Sequence, residues 1–168
     1  MLRSGVRSGL AALLVALAGC LYGFAGGGLP ANVRTVAIVP FENETPSPDL
    51  TRELVDALRR EMRNRLGVRD AAESRANAVV RGTIVRYDVD VPISYTADRG
   101  RNGVTSSRRK LQIVLDVEIV EQANGKTLLQ RKGLVGEAEY AERAEASGRR
   151  QAIDKIVSDI IEGAQSQW

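Results

Sequence analysis

The sequence has no histidine and one cysteine, Cys20. A chain without histidine and with a single thiol can build neither a His/Cys metal site nor a histidine-based catalytic triad. It cannot form an internal disulfide either, so packing alone must hold the fold. Long hydrophobic runs are also missing. The uncharged stretch from Leu10 to Leu17 is far shorter than the ~20 residues of a membrane-spanning helix. An excess of one charge is lacking as well. The chain holds 24 basic and 21 acidic residues, and without Arg3 and Arg7 the balance is 22 to 21. Near-neutrality gives no argument for nucleic acid. Gly26-Gly27-Gly28 is not a phosphate loop, because no Lys-Ser/Thr follows and the segment precedes a strand pattern. Asp116 and Glu118 share one strand face and could in principle work as an acid and a base, but the preferred reading is the solvated face of a half-exposed sheet. No serine–lysine spacing points to a nucleophile. The chain reads as a non-enzyme without a metal or a cofactor.

What is present begins at the N-terminus. Arg3 and Arg7 precede the apolar stretch, and Leu17-Ala18-Gly19-Cys20 closes it. A basic segment, a short hydrophobic segment and a small-residue cleavage site form a secretory signal. Leu-Ala-Gly-Cys resembles the lipobox of bacterial lipoproteins, whose cysteine receives a diacylglycerol and becomes the mature N-terminus. The expected organisation is a signal peptide over 1–19, a lipidated Cys20 with a flexible tether over 20–32, and one domain over 33–168. The body would lie outside the cytoplasm, where nucleic acid is not the expected partner. Leu21 follows the cysteine where an aspartate would suggest inner-membrane retention, so the outer membrane is the expected address. The Gly-rich tether of residues 23–32 suits a spacer between lipid and domain.

Val33 to Phe41 contains the β-branched run Val36-Ala37-Ile38-Val39, ended by Pro40; it predicts a strand covered on both faces. Turn residues 43–48 follow, with Ser47 as the expected cap of a helix, Pro48 at its first position and Asp49 in its first turn. Leu50, Leu54, Leu58 and Met62 mark one side of that helix up to Leu66, and Gly67 stops it. A long second strand spans Ala78 to Val91. Its alternation changes phase: Val80, Gly82 and Ile84 share one parity and Tyr87, Val89 and Val91 the other, which predicts a bulge or bend near Arg86. Leu111 to Ile119 alternates cleanly. Asn124-Gly125 is a hairpin signal, returning a fourth strand from Thr127 to about Glu139. A helix over about 142–165 carries Ile153, Ile156, Val157, Ile160, Ile161 and Ala164 as one stripe facing a core. The expected architecture is α+β, with two helices packed on one face of a mixed four-stranded sheet in the order β-α-β-β-β-α.

These features, in order, resemble the LptE family of lipopolysaccharide-assembly outer-membrane lipoproteins. The matching segments are Cys20-Leu21-Tyr22-Gly23-Phe24, Leu29-Pro30, residues 36–45 from Val36 to Thr45, residues 78–84 from Ala78 to Ile84, Ser94-Tyr95, Asn124-Gly125-Lys126 and Ala152-Ile153. The resemblance implies two helices against a four-stranded sheet. It implies residence in the lumen of a large outer-membrane β-barrel of the LptD type, a role in assembling that translocon, and contact with lipopolysaccharide. Between Asp98 and Lys110 the chain places Arg99, Arg101, Arg108, Arg109 and Lys110 against one acid, a local charge of +4. Arginine's forked donors match lipid phosphates, so this loop is the expected contact with lipopolysaccharide or the barrel wall, with a plain solvated loop as the alternative. Tyr87, Tyr95, Tyr140 and Trp168 are either interface anchors or core residues. Residues 39–45 also resemble lipoproteins that activate peptidoglycan synthases and curli-type secretion lipoproteins. About ten tether residues span at most ~35 Å, short for an activator that must cross the periplasm, and no extra amphipathic hairpins point to a secretion pore.

Overall fold

The computed structural model describes residues 28–92, 108–141 and 143–166. The expected signal peptide, Cys20, most of the tether, Arg99, Arg101, Tyr95 and Trp168 lie outside the described residues. The elements in chain order are β1 (Thr35–Ile38), β2 (Glu42–Asn43), α1 (Asp49–Leu66), β3 (Arg69–Asp70), a 3-10 turn (Glu73–Arg75), β4 (Ala78–Pro92), β5 (Arg108–Glu121), β6 (Thr127–Ala141) and α2 (Glu145–Ser166). The sheet runs β3-β1-β4-β5-β6, with β2 also paired to β4. Pairings among β1, β2, β3 and β4 are parallel, and the β4-β5-β6 meander is antiparallel.

The sheet is mixed, as the pattern predicts, but it has six strands and not four. The two additional strands have two residues each, too few to show any periodicity. β2 is the turn sequence after Pro40 lying alongside Thr83 and Ile84. β3 forms where the chain leaves Gly67 and runs beside Thr35 and Val36.

α1 covers the predicted span, but its start is built differently. Ser47 provides no cap: Pro48 is the N-cap residue and no side chain bonds the first turn. Asn43 organises this turn instead, with Nδ2 donating to Ser47 O at 2.8 Å and Oδ1 accepting from Thr45 N at 2.9 Å. Asp49 does occupy the first turn, and Gly67 ends the helix in the left-handed conformation.

Core formation follows the periodicities. The odd positions of β5, Leu111 to Ile119, are buried together with the α1 stripe Leu50, Leu54, Leu58 and Met62 and the α2 stripe Ile153 to Ala164. Both helices therefore bury against one face. A smaller cluster of Ala37, Ala76 and Val79 lies apart from this core, and the chain from Ala71 to Asn77 stays beside β1 through Ala71 N to Val36 O and Asn77 N to Thr35 O. The expected bulge in β4 is present: Ile84 pairs with Leu115 and Arg86 with Val114, leaving Val85 over. A second irregularity between Asp88 and Val91 brings Asp90 to φ 65°. At that irregularity Val89 is 41 % exposed. In β6 the residues Arg131 and Leu134 face Val117 and Leu115. The extra residue is taken up at Gly133, at φ 64°, a conformation that costs glycine little.

The fold has two ends. Residues 30–34 and the β5–β6 hairpin at Asn124-Gly125 lie at one, where Ala78 pairs with Glu121. Pro92 and Arg108, which the 93–107 connection joins, lie at the other. No helix among the described residues is long and apolar enough to cross a membrane.

Candidate functional site

The basic segment predicted to meet a ligand is placed in part at the second end. Arg108, Arg109 and Lys110 are not loop residues: they begin β5, opposite Ala141, Tyr140 and Glu139. Two of them already have acidic partners. Arg109 Nη1 lies 2.9 Å from Asp90 Oδ1, and Lys110 Nζ lies 2.6 Å from Glu137 Oε2. Gln112 Nε2 donates to the other oxygen of Glu137 at 3.1 Å. The structure thus brings Arg109 and Lys110 together with carboxylates, whereas the sequence places them in a net-positive stretch. Counting outward from Asn124-Gly125 sets β6 acids near residue 110 on the neighbouring strand, a signal from which these pairs could have been read.

Asp90 carries a second hydrogen bond, from Tyr140 Oη at 2.7 Å. That bond, with the Arg109 guanidinium, holds the Asp90 carboxyl below its ordinary range. Burial, with Asp90 as the acceptor, raises the Tyr140 hydroxyl. Tyr140 is buried in the main core, so its hydroxyl meets the wet end of the sheet while its ring packs beneath α2. Its role is that of a core residue with a polar tip.

A second cluster ties this end to both helices, and no sequence pattern pointed to it. Arg149 on α2 makes a forked contact with Glu53 on α1, Nε to Oε2 and Nη2 to Oε1, each at 2.9 Å. Its Nη1 reaches Glu145 at 3.3 Å, and Tyr87 Oη on β4 donates to the same Glu145 oxygen at 2.7 Å. The Arg149 side chain is 18 % exposed, and planar bidentate geometry suits such a partly buried pair. Glu53 lowers in response to Arg149, and Arg149 rises in response to Glu53. The cluster fixes α1, α2 and β4 relative to one another.

The sheet face opposite the helices is charged but balanced. Arg81 pairs with Glu118 at 2.5 Å and Arg86 with Asp88 at 2.9 Å. Asp116 accepts from the Gly133 N–H at 2.7 Å. Asp116 and Glu118 are therefore committed to structure: the first closes a bulge and the second neutralises an arginine. Among the described residues no group of three or more His, Cys, Asp or Glu could hold a metal ion.

The arrangement offers a rigid strand surface with a basic segment at one end. The family model for lipopolysaccharide assembly, LptE, matches residues 33–163. The chain belongs to the LptE family. The match covers β1 through most of α2, so the family fold and the described domain coincide. No curated protein matches the chain closely enough to count as a relative. Among solved structures, the LptE-family chain is similar to the PelC dodecamer from Paraburkholderia phytofirmans. The TM-score is 0.54 at 18 % identity, over 80 % of this chain and 94 % of that one. Protein XCC0632 from Xanthomonas campestris gives a TM-score of 0.51 at 13 % identity, over 80 % and 86 % of the two chains. At such identities the likeness is one of fold.

Proposed function

We propose that this LptE-family protein is an outer-membrane lipoprotein, lipid-anchored through Cys20 on the periplasmic side. It plugs and helps assemble a large β-barrel translocon of the LptD type that delivers lipopolysaccharide to the cell surface, and it contacts lipopolysaccharide on the way. It is a binding and assembly protein with no catalytic role. The observation that carries this reading is the family match over residues 33–163. The lipobox at Cys20 and Leu21 after it support the anchor and its address.

Two members of the proposed lipopolysaccharide contact have partners within the fold. Arg109 and Lys110 are held by Asp90 and Glu137, so their charge is largely met within the fold. The proposed phosphate contact is the basic segment Arg99, Arg101, Arg108, Arg109 and Lys110, in which Arg109 and Lys110 also stiffen the start of β5 through their acidic partners.

Affinity purification of the full-length, C-terminally tagged protein from detergent-solubilised outer membranes, with partners identified by mass spectrometry, tests the assembly role. A near-stoichiometric large β-barrel protein is expected. A peptidoglycan synthase, or a ring of the protein itself, would replace this reading with the activator or the secretion-complex reading. Charge reversal at Arg99, Arg101 and Arg108 together should weaken lipopolysaccharide binding. Unchanged affinity in that triple variant removes the basic segment from the contact.

A further inference from the structure

Glu121 is the one charged side chain buried among the described residues, at 5 % exposure. It ends β5 where the hairpin begins, at the end of the sheet opposite the basic segment. Glutamates are almost never buried without a cationic partner, and among the described residues Glu121 has none. Its side chain accepts a hydrogen bond from the neutral amide Nδ2 of Asn32. A neutral amide offsets only part of the cost of removing a carboxylate from water.

The carboxylate borders a cavity of about 310 Å³ lined by Asn32, Ala76, Asn77, Glu121, Gln122 and Ala123. The amides around it each make one side-chain donation or accept through their oxygen, and they keep both oxygens and hydrogens in reserve. Asn32 spends Nδ2 on Glu121, and Gln122 spends Nε2 on Glu73 O at 2.8 Å. Asn77 instead accepts, its Oδ1 taking Arg34 N, Thr35 N and Thr35 Oγ1. Beside the second oxygen of Glu121, the lining residues offer Asn32 Oδ1 and Gln122 Oε1 as acceptors and, as donors, Asn77 Nδ2 and the second hydrogens of Asn32 Nδ2 and Gln122 Nε2, so the Glu121 carboxylate is the group that selects a cation. Ala76 and Ala123 supply apolar wall. A volume equal to about ten waters has room for a cationic head and its methylene stem, and alanine walls suit such a stem.

We infer that this cavity is a binding site for an alkylammonium or guanidinium group, held by Glu121 and the amide oxygens of Asn32 and Gln122. The source of the cation is either a lysine or arginine side chain of a partner protein or a free polyamine, and the chemistry of recognition is the same for both. Asn32 belongs to the segment through which the N-terminus reaches the domain, so a cation on Glu121 competes with the contact that fastens that segment. The inference is independent of the lipopolysaccharide reading, because its residues and its end of the sheet are different.

The test is an NMR titration of the 15N-labelled full chain in detergent micelles at neutral pH, with n-butylammonium as probe and n-butanol as the neutral control. The side-chain amide signals of Asn32, Asn77 and Gln122 report directly on the cavity. Saturable shifts with butylammonium, absent with butanol and absent in Glu121→Gln, are expected. Asn32→Asp adds a second carboxylate and should tighten binding roughly threefold or more; it keeps the test alive if Glu121→Gln fails to fold. Shifts that do not saturate, that butanol reproduces, that persist in Glu121→Gln or that fail to tighten in Asn32→Asp overturn the site. Putrescine binding more tightly than butylammonium identifies a free polyamine as the source, and equal affinities identify a protein side chain.

Discussion

Replacing Gly136 by alanine adds one methyl group where β6 meets α2, and there is no space for it. A β-carbon at Gly136 would lie 2.3 Å from the backbone oxygen of Ala152 and 2.6 and 2.8 Å from Ile156 Cγ1 and Cδ1. Ile156 can rotate, but a carbonyl inside a helix moves only if the helix moves. α2 must therefore lift, separating Ile153, Ile156 and Ile160 from the strands they cover. Overpacking costs ~1–3 kcal/mol, and a lifted helix forfeits dispersion contacts along its length. Together these give a loss of about 3 kcal/mol for Gly136→Ala, at the upper end of that range. Gly163→Ala is the matched control. Its β-carbon would lie 3.0 Å from Leu129 Cδ1, the end of a flexible side chain, and alanine inside a helix gains ~1 kcal/mol over glycine. The two effects nearly cancel. For a chain of this size each kcal/mol moves Tm by about 2–4 °C. Thermal unfolding followed by circular dichroism should then show Gly136→Ala melting about 10 °C below the parent and Gly163→Ala within about 3 °C of it. Equal melting of Gly136→Ala and the parent, or an equally large drop for Gly163→Ala, would refute the packing argument.

Two further predictions concern pH. The Arg149 hydrogen bond lowers the Glu53 carboxyl although burial opposes it. A folded pKa below the unfolded value of ~4.3 gives stability that is present above that value and lost as pH falls through the folded one. Urea unfolding from pH 6 downward should show that loss, and Glu53→Gln should flatten it; parallel profiles would sink the assignment. Tyr87 is pushed up to about 12, by burial first and the bond to Glu145 second. Its neutral form is favoured in the fold, so its contribution is complete below the unfolded pKa of ~10 and fades as pH rises toward the folded value. Tyr140 is raised as well, so titration at 295 nm should show late phenolate ionisation, of which Tyr87→Phe removes the part near pH 12. Complete ionisation of all tyrosines before pH 11 would contradict it.

Elements that carry their own period were legible in the chain. The stripe from Ile153 to Ala164 lies against the core, and β5 alternates as its residues require. The phase change in β4 foretold the bulge at Val85 because burial must stay on one face. Two-residue strands were hidden, since β2 and β3 exist by pairing with neighbours and not by any pattern of their own. The second irregularity in β4 was equally hidden, because no residue type around Asp90 demands its φ of 65°. Ion pairs depend on register and on how helices sit. Arg149 and Glu53 are 96 positions apart, and only the packed arrangement makes them neighbours. The basic character of residues 98–110 was visible, but its partial neutralisation by Asp90 and Glu137 required the strand pairing.

β4 runs 15 residues from the N-terminal end of the domain to the basic end, a distance of roughly 45–50 Å at ~3.3 Å per residue. The strand is clamped by β5 along most of its length and by the Tyr87–Glu145–Arg149–Glu53 cluster across the helices. The separation of the two ends is therefore a property of the rigid body. Inserting residue pairs into the β4-β5-β6 meander would change how far the basic end stands from residues 30–34, with the helices and the other end left as they are.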